Sequence, residues 1–496
     1  MSESRGISHR LGFWGLTGIV FGSVIGGSIF NLAQTLARNA ALGAVISAWL
    51  ITGVGILFLV LTFKRLADAR PDLKAGIYQY AQEGFGNYMG FNMAWGYWLC
   101  VILGNVTYAV MINDSLGAFL PIFRDNPAMT FFFGTALVWL MFGIVSQGVQ
   151  SAAFVNTLLS LLKFACIILI IGVLAVYVKV GLFTQDFWGH ASGEKLGSIG
   201  NQFSSCMLVT IWSFLGIEGA VMMAGRARHP KDVGRATVVG FLLALTLYIL
   251  ISILCFGVMT QPAMASLPNP SLAYVLDSCA GAWAKWFVIL SVIISLTGGF
   301  VAWTLVCAQV PYEAAAVKIF PRQFLRLNRK GMPWFGMGSA TTVMTLCLLL
   351  VVTAENIYVA ALNLTALMVL PPYLFCGLYL WKLTTTVDGR RALRGKVEIN
   401  RFIAAAEVAF CLYIMWAGTF RLLMVTSIFY VLGVVFFMLA RIQNSGRLFR
   451  RRDIFHPIRI VGGVFTKMEF ALFLMLVVMA VVSVILLANG YIRLDV

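Results

Sequence analysis

Long stretches without charge constrain this chain more than any other feature. Residues 11–63 hold one charged side chain, Arg38, while 85–113 and 128–162 hold none. The hydrocarbon core of a bilayer is crossed by a helix of about 20 apolar residues. Lipid offers no partner to a bare peptide group, so such segments must be helices or a closed barrel. The runs are too long for barrel strands. Two spans fit in 11–63, with a turn at Arg38 and Asn39. A third covers 85–113. A fourth and a fifth share 128–162, with a turn marked by Gln147, Gln150 and Ser151. Further spans fall near 198–224, 236–259, 284–316, 335–353, 357–381, 402–419, 422–440 and 468–489. The expected architecture is an all-α integral membrane protein of about thirteen helices.

The charge distribution predicts its orientation. The net charge of +17 comes from 36 Lys and Arg against 19 Asp and Glu, in a chain only 11% charged. With the N-terminus in the cytoplasm, 29 of those Lys and Arg fall on inside segments and 7 on outside ones, counting Lys163 at the inner end of its helix. Such a bias is the positive-inside pattern. Thirteen spans then leave the C-terminus outside. No basic block lies on a soluble domain, so no nucleic-acid partner is expected. The first apolar run lacks a cleavage pattern and exceeds a signal-peptide core. The basic stretch 447–452 reads as an ordinary cytoplasmic loop, with contact to anionic lipid as the alternative. The nine Cys show no CxxC pair and the four His lie in loops or tails, so no metal or cofactor is expected.

Two spans are poorly suited to be continuous helices. The first carries Gly22, Ser23, Gly26, Gly27 and Ser28 mid-membrane. The sixth reads Trp212, Ser213, Phe214, Leu215, Gly216, Ile217, Glu218 and Gly219. Glycine costs about 1 kcal/mol per residue in a helix interior. Close helix packing can explain glycines in either span alone. The pair opens two five-helix halves, with breaks near 26 and 216. Matching Gly-interrupted segments point to a transporter site, and odd halves imply an inverted repeat. Half-helix N-termini at the breaks would offer free N–H groups to a carboxylate. The organisation expected is a first repeat over 1–180 (spans 1–5), a second over 181–385 (spans 6–10) and extra helices over 386–496 (spans 11–13). Glu218 is either a neutral structural acid or a proton sensor, gate or counter-ion. Glu407, also intramembrane, is accounted for by snorkelling or helix pairing.

These residues resemble the amino acid–polyamine–organocation (APC) superfamily, and within it the bacterial basic amino acid/polyamine antiporters. The resemblance spans nearly the whole chain. It rests on 22–30, on Gly76, Ile77, Tyr78, Gln79 and Tyr80 leading to Gly84, Phe85 and Gly86, on Tyr97, Trp98 and Leu99 with Gly104 and Asn105, on 212–218, and on 226–237. It implies a LeuT-like inverted 5+5 fold in a bacterial cytoplasmic membrane, and exchange of arginine for ornithine or agmatine, or of lysine for cadaverine. A thirteenth span suits the arginine/ornithine branch. The substrate carboxylate would sit on Ser23, Ile25, Gly26 and Gly27, with Ser28 just beyond. Its amino group would meet carbonyls of Trp212, Phe214 and Ile217. Trp212 would stack on the substrate, Trp303 would lie along its stem, and Asn105 would contact its distal group. Tyr97 resembles the tyrosine of an outer pH gate, Glu218 the acid of the motif, and Tyr373, after Pro371 and Pro372, a second gate. Lys163 resembles the lysine that replaces sodium in sodium-independent relatives. Members range from monomer to homodimer, and both states stay open. A proton-coupled symporter of the same fold is the alternative. No nucleophile–base pair suggests an enzyme.

Overall fold

The computed structural model describes residues 12–73, 75–190, 196–224, 227–353, 357–417, 420–445 and 465–489. The basic stretch 447–452 and both termini lie outside them. The described chain is helical, with no strand. Ten helices are long and apolar enough to cross a membrane unbroken: Leu42–Ala69, Asn87–Gly117, Pro127–Ser146, Val155–Tyr177, Pro230–Val258, Ala282–Ala316, Leu367–Thr385, Val397–Trp416, Leu423–Asn444 and Lys467–Ala488. Span 1 is the bent pair Phe13–Val24 and Ser28–Ala37, which meet at 42°. Span 6 is Ile199–Trp212, a run of turns, and Gly219–Met222. Span 9 is Trp334–Thr353. Each expected span thus has a counterpart.

Burial sorts the spans by position. Within an 18-residue apolar stretch of each, 83% of the residues of span 3 (Asn87–Gly117) are buried and only 11% of those of span 13 (Lys467–Ala488). Span 3 is therefore a central pillar and span 13 a peripheral helix presenting its apolar side chains to lipid. Span 13 is held at its start by Glu469, which closes a capping box with Thr466 and pairs with Arg441 of span 12 at 2.6 Å. Such a box satisfies two orphan N–H groups of the first turn.

One boundary differs from the sequence reading. Span 5 runs from Val149 to Tyr177, well beyond residue 162. Lys163 therefore lies at its middle and not at its inner end, and it leaves the inside tally of basic residues. The sequence reading ended the helix at its first cation, but that cation has internal partners.

Between spans 2 and 3 the chain folds back as the short helix Ile77–Phe85. Arg70 anchors this hairpin. Its guanidinium donates to Asp72 at 2.9 Å, to Glu83 at 3.3 Å and to the Tyr379 hydroxyl of span 10. The Arg70 hydrogen bonds hold the Asp72 carboxyl below the usual carboxylate range, although partial burial opposes them.

Candidate functional site

The two breaks face each other at the centre of the bundle. In span 1 the helix stops at Val24 and resumes at Ser28. A Cβ on Gly26 would lie 2.5 Å from the Tyr108 hydroxyl, so a larger residue there would have to push that ring aside. In span 6 Gly216 has φ +98°, in the left-handed region. A Cβ on it would lie 2.8 Å from the Ser23 Cβ. Glycine is therefore required twice over at 216, by conformation and by the approach of span 1.

Broken helices expose carbonyls that must find donors. Lys163 supplies them at the first break, reaching Gly22 O at 3.1 Å and Ile25 O at 2.5 Å. A cation there also suits the negative end of the half-helix dipole. Ser295 of span 8 donates to Gly26 O at 3.2 Å. The Tyr248 hydroxyl of span 7 lies 2.9 Å from both Val24 O and Ser213 O, and so joins the two breaks. The N–H groups of Gly27 and Ser28 open the second half-helix, where no side chain caps them. Those are the donors an anion would use.

A cavity of about 40 Å³ lies between the breaks. Ser23, Gly26, Gly27 and Ser28 of span 1 line it, together with Trp212 and Leu215 of span 6, Trp303 of span 8 and Thr365 of span 10. Span 3 adds Cys100, Gly104, Thr107 and Tyr108, one turn after another on one face. None of the lining side chains is charged.

The sequence candidates separate into three groups. Ser23, Gly26, Gly27, Trp212 and Trp303 line the cavity. Glu218, Tyr97 and Tyr373 come together beside it. Glu218 is fully buried, and its two carboxylate oxygens each accept from a phenol, Tyr97 and Tyr373, at 2.5 Å. Ile25, Asn105, Phe214, Ile217 and Lys163 are buried but absent from the lining. The Phe214 ring packs on Trp49, Phe241 and Tyr248, so only its carbonyl could serve a ligand. That carbonyl and that of Trp212 already accept from Ile217 N and Leu215 N, and each has a second lone pair left. Asn105 is buried with neither amide atom hydrogen-bonded, a costly arrangement unless a ligand completes it.

Sequence reading missed Tyr108, Thr107, Cys100 and Thr365 as lining residues, and Tyr248 as the tie. The spacing of Cys100, Gly104 and Thr107 on a helical face was the available signal for the span 3 set. Of the two readings for Glu407, helix pairing fits and snorkelling does not, because the residue is fully buried against Gly377 of span 10.

A helical membrane bundle whose first and sixth spans both break around one cavity is a secondary transporter of the broken-helix class. The crystal structure of MhsT in complex with L-phenylalanine shares this fold, with a TM-score of 0.59 at 14% identity over 84% of this chain and 100% of that one. The chain belongs to the amino acid permease family of the APC superfamily, whose family model matches residues 11–454. An arginine/agmatine antiporter of Chlamydia pneumoniae is 38% identical over 461 residues, 92% of this chain and 95% of that protein. One of Chlamydia caviae is 37% identical over 500 residues, covering both chains completely.

Proposed function

We propose that the protein exchanges cationic amino acids of the arginine class for a related amine, agmatine or ornithine, across the bacterial cytoplasmic membrane by alternating access. The cavity lined by a broken-helix N-terminus, two tryptophans and no charged side chain carries this reading. The N–H groups after the first break suit an α-carboxylate. Trp212 and Trp303 suit the cationic end, since each aromatic face contributes about 0.5–2 kcal/mol to a desolvated cation. A carboxylate in the lining would hold the substrate too strongly for release on the far side. The names of the Chlamydia relatives support arginine and agmatine as a pair.

In this reading the two repeats occupy 1–180 and 181–385, with the N-terminus in the cytoplasm and the C-terminus outside. The cavity is far below the roughly 300–1,000 Å³ of small-molecule sites. Substrate therefore enters a more open state, and Tyr97, Glu218 and Tyr373 close over it. Counterflow in proteoliposomes tests exchange. Labelled arginine should enter vesicles preloaded with arginine, agmatine or ornithine and not empty ones. Equal entry into empty vesicles would overturn obligate exchange.

Proton-coupled symport is the second reading, favoured by the full burial of Glu218 and Lys163. It requires uptake into empty vesicles driven by a pH gradient. Glu218→Gln would then abolish that driven uptake, while in an exchanger it changes the pH profile and leaves counterflow measurable.

A further inference from the structure

Glu407 is a second intramembrane acid, and the transport site does not use it. It is the central residue of Val397–Ala417, ten positions from each end of a 21-residue helix. That places it about 15 Å from the first residue of span 11, near the bilayer midplane. It is fully buried. One carboxyl oxygen accepts from the Cys411 thiol, one turn on, at 3.2 Å. The other, Oε2, is buried with no hydrogen-bond partner. It lies so close over Gly377 of span 10 that any Cβ there would overlap it. Span 10 therefore approaches span 11 through a glycine, with the carboxyl group filling the place of a side chain.

An ionised carboxylate cannot persist in this setting. A buried charge needs a counter-ion or several strong donors, and a thiol is a weak donor. The elements packed on span 11 supply no cation at this depth. Span 10 brings Cys376, with Tyr373 a turn before it, Tyr379 a turn after it, and Lys382 in its last turn, where the ammonium donates to Gly84 O. Span 2 has no titratable residue between 42 and 63, and carries Lys64, Arg65 and Asp68 only at its end. The first half of span 6 brings Cys206, and span 12 brings Tyr430, with arginines only near its ends. On span 11 itself Glu398 and Arg401 pair with each other near its start.

Span 10 also connects this acid to the gate. Gly377 lies four residues, one helical turn, after Tyr373, which donates to Glu218. The Cys376 thiol beside Gly377 lies within electrostatic range of both Glu218 and Glu407. One helical turn of span 10 therefore carries both the Tyr373 bond to Glu218 and the glycine that covers Glu407.

We propose that Glu407 is a proton-binding site: it holds a proton while spans 10 and 11 are packed together, and releases it to entering water when span 10 swings away. The acid O–H bond breaks, its electron pair stays on the carboxylate, and water takes the proton. By linkage, acid favours the packed form and alkali the separated one. The inference goes beyond amino acid exchange and does not depend on the substrate.

Two measurements on the full-length protein in proteoliposomes test it. In infrared spectra at neutral pH, the wild type should show a protonated-carboxyl C=O band that is missing from Glu407→Gln. If no such band is lost, Glu407 is ionised and the proposal is wrong. In counterflow, the wild-type rate should rise with pH through one deprotonation step that Glu407→Gln lacks, leaving the variant about tenfold slower on the alkaline side, the effect of one pH unit of linkage. Superimposable profiles would also overturn it. If Glu407→Gln does not fold, Cys411→Ala reads the same group: loss of the thiol donor should shift the band in frequency, and an unmoved band refutes the assignment. Because the infrared arm needs no transported substrate, it stands even if arginine is not the cargo.

Discussion

The breaks in spans 1 and 6 solve one problem in opposite ways. The first is short, three residues between two half-helices, and its free carbonyls are taken by the Lys163 ammonium. The second is longer, six residues of turn from Ser213 to Glu218, and it ends on a carboxyl held by two phenols. One break is closed by a buried cation from span 5, the other by a buried acid reached from spans 3 and 10. Two donations from one side chain tie the first break to span 5. Hydrogen bonds from two separate helices make the second a closure that can be taken apart.

Substitutions can break that contrast, beginning with the largest effect. Trp212→Leu, at the edge of the second break, should abolish arginine counterflow while the purified protein stays folded and monodisperse. Near-normal exchange would mean the cavity between the breaks is not the site. Lys163→Met should strike the first break as a loss of stability. Two buried carbonyls lose their donor, at about 1–3 kcal/mol each, and the melting temperature in detergent should fall accordingly. Gly216→Ala should also destabilise the fold, by the roughly 1–2 kcal/mol that left-handed backbone costs a residue with a Cβ together with the overlap of that Cβ with the Ser23 backbone. It should slow exchange, because the added methyl displaces Ser23. Tyr248→Phe removes one hydroxyl between the breaks, so stability should drop by about 1 kcal/mol. A larger drop than for Lys163→Met would reverse the view of which group anchors the breaks.

Much of this was legible in the sequence, for a physical reason. Uncharged runs of bilayer length leave a chain few options, so thirteen spans could be counted. Glycine pairs with polar neighbours exposed both breaks, because glycine is unfavourable in a helix unless something needs its absent side chain. The angular position of a side chain on an apolar helix was not legible. In lipid both faces of a span are apolar, and periodicity no longer separates inside from outside. Tyr108, Thr365 and Tyr248 were missed for that reason, and for Glu407 snorkelling and helix pairing both stayed open although it faces span 10. Lys163 shows the converse. Its candidacy followed from family resemblance, but its depth did not, because a charge ordinarily marks a helix end.

The small central cavity has a consequence for what the membrane retains. At about 40 Å³ it admits a few waters and no solute of amino acid size, whose sites run to roughly 300–1,000 Å³. In this conformation the bundle offers such a solute no continuous passage there, so its gradient persists while the carrier idles.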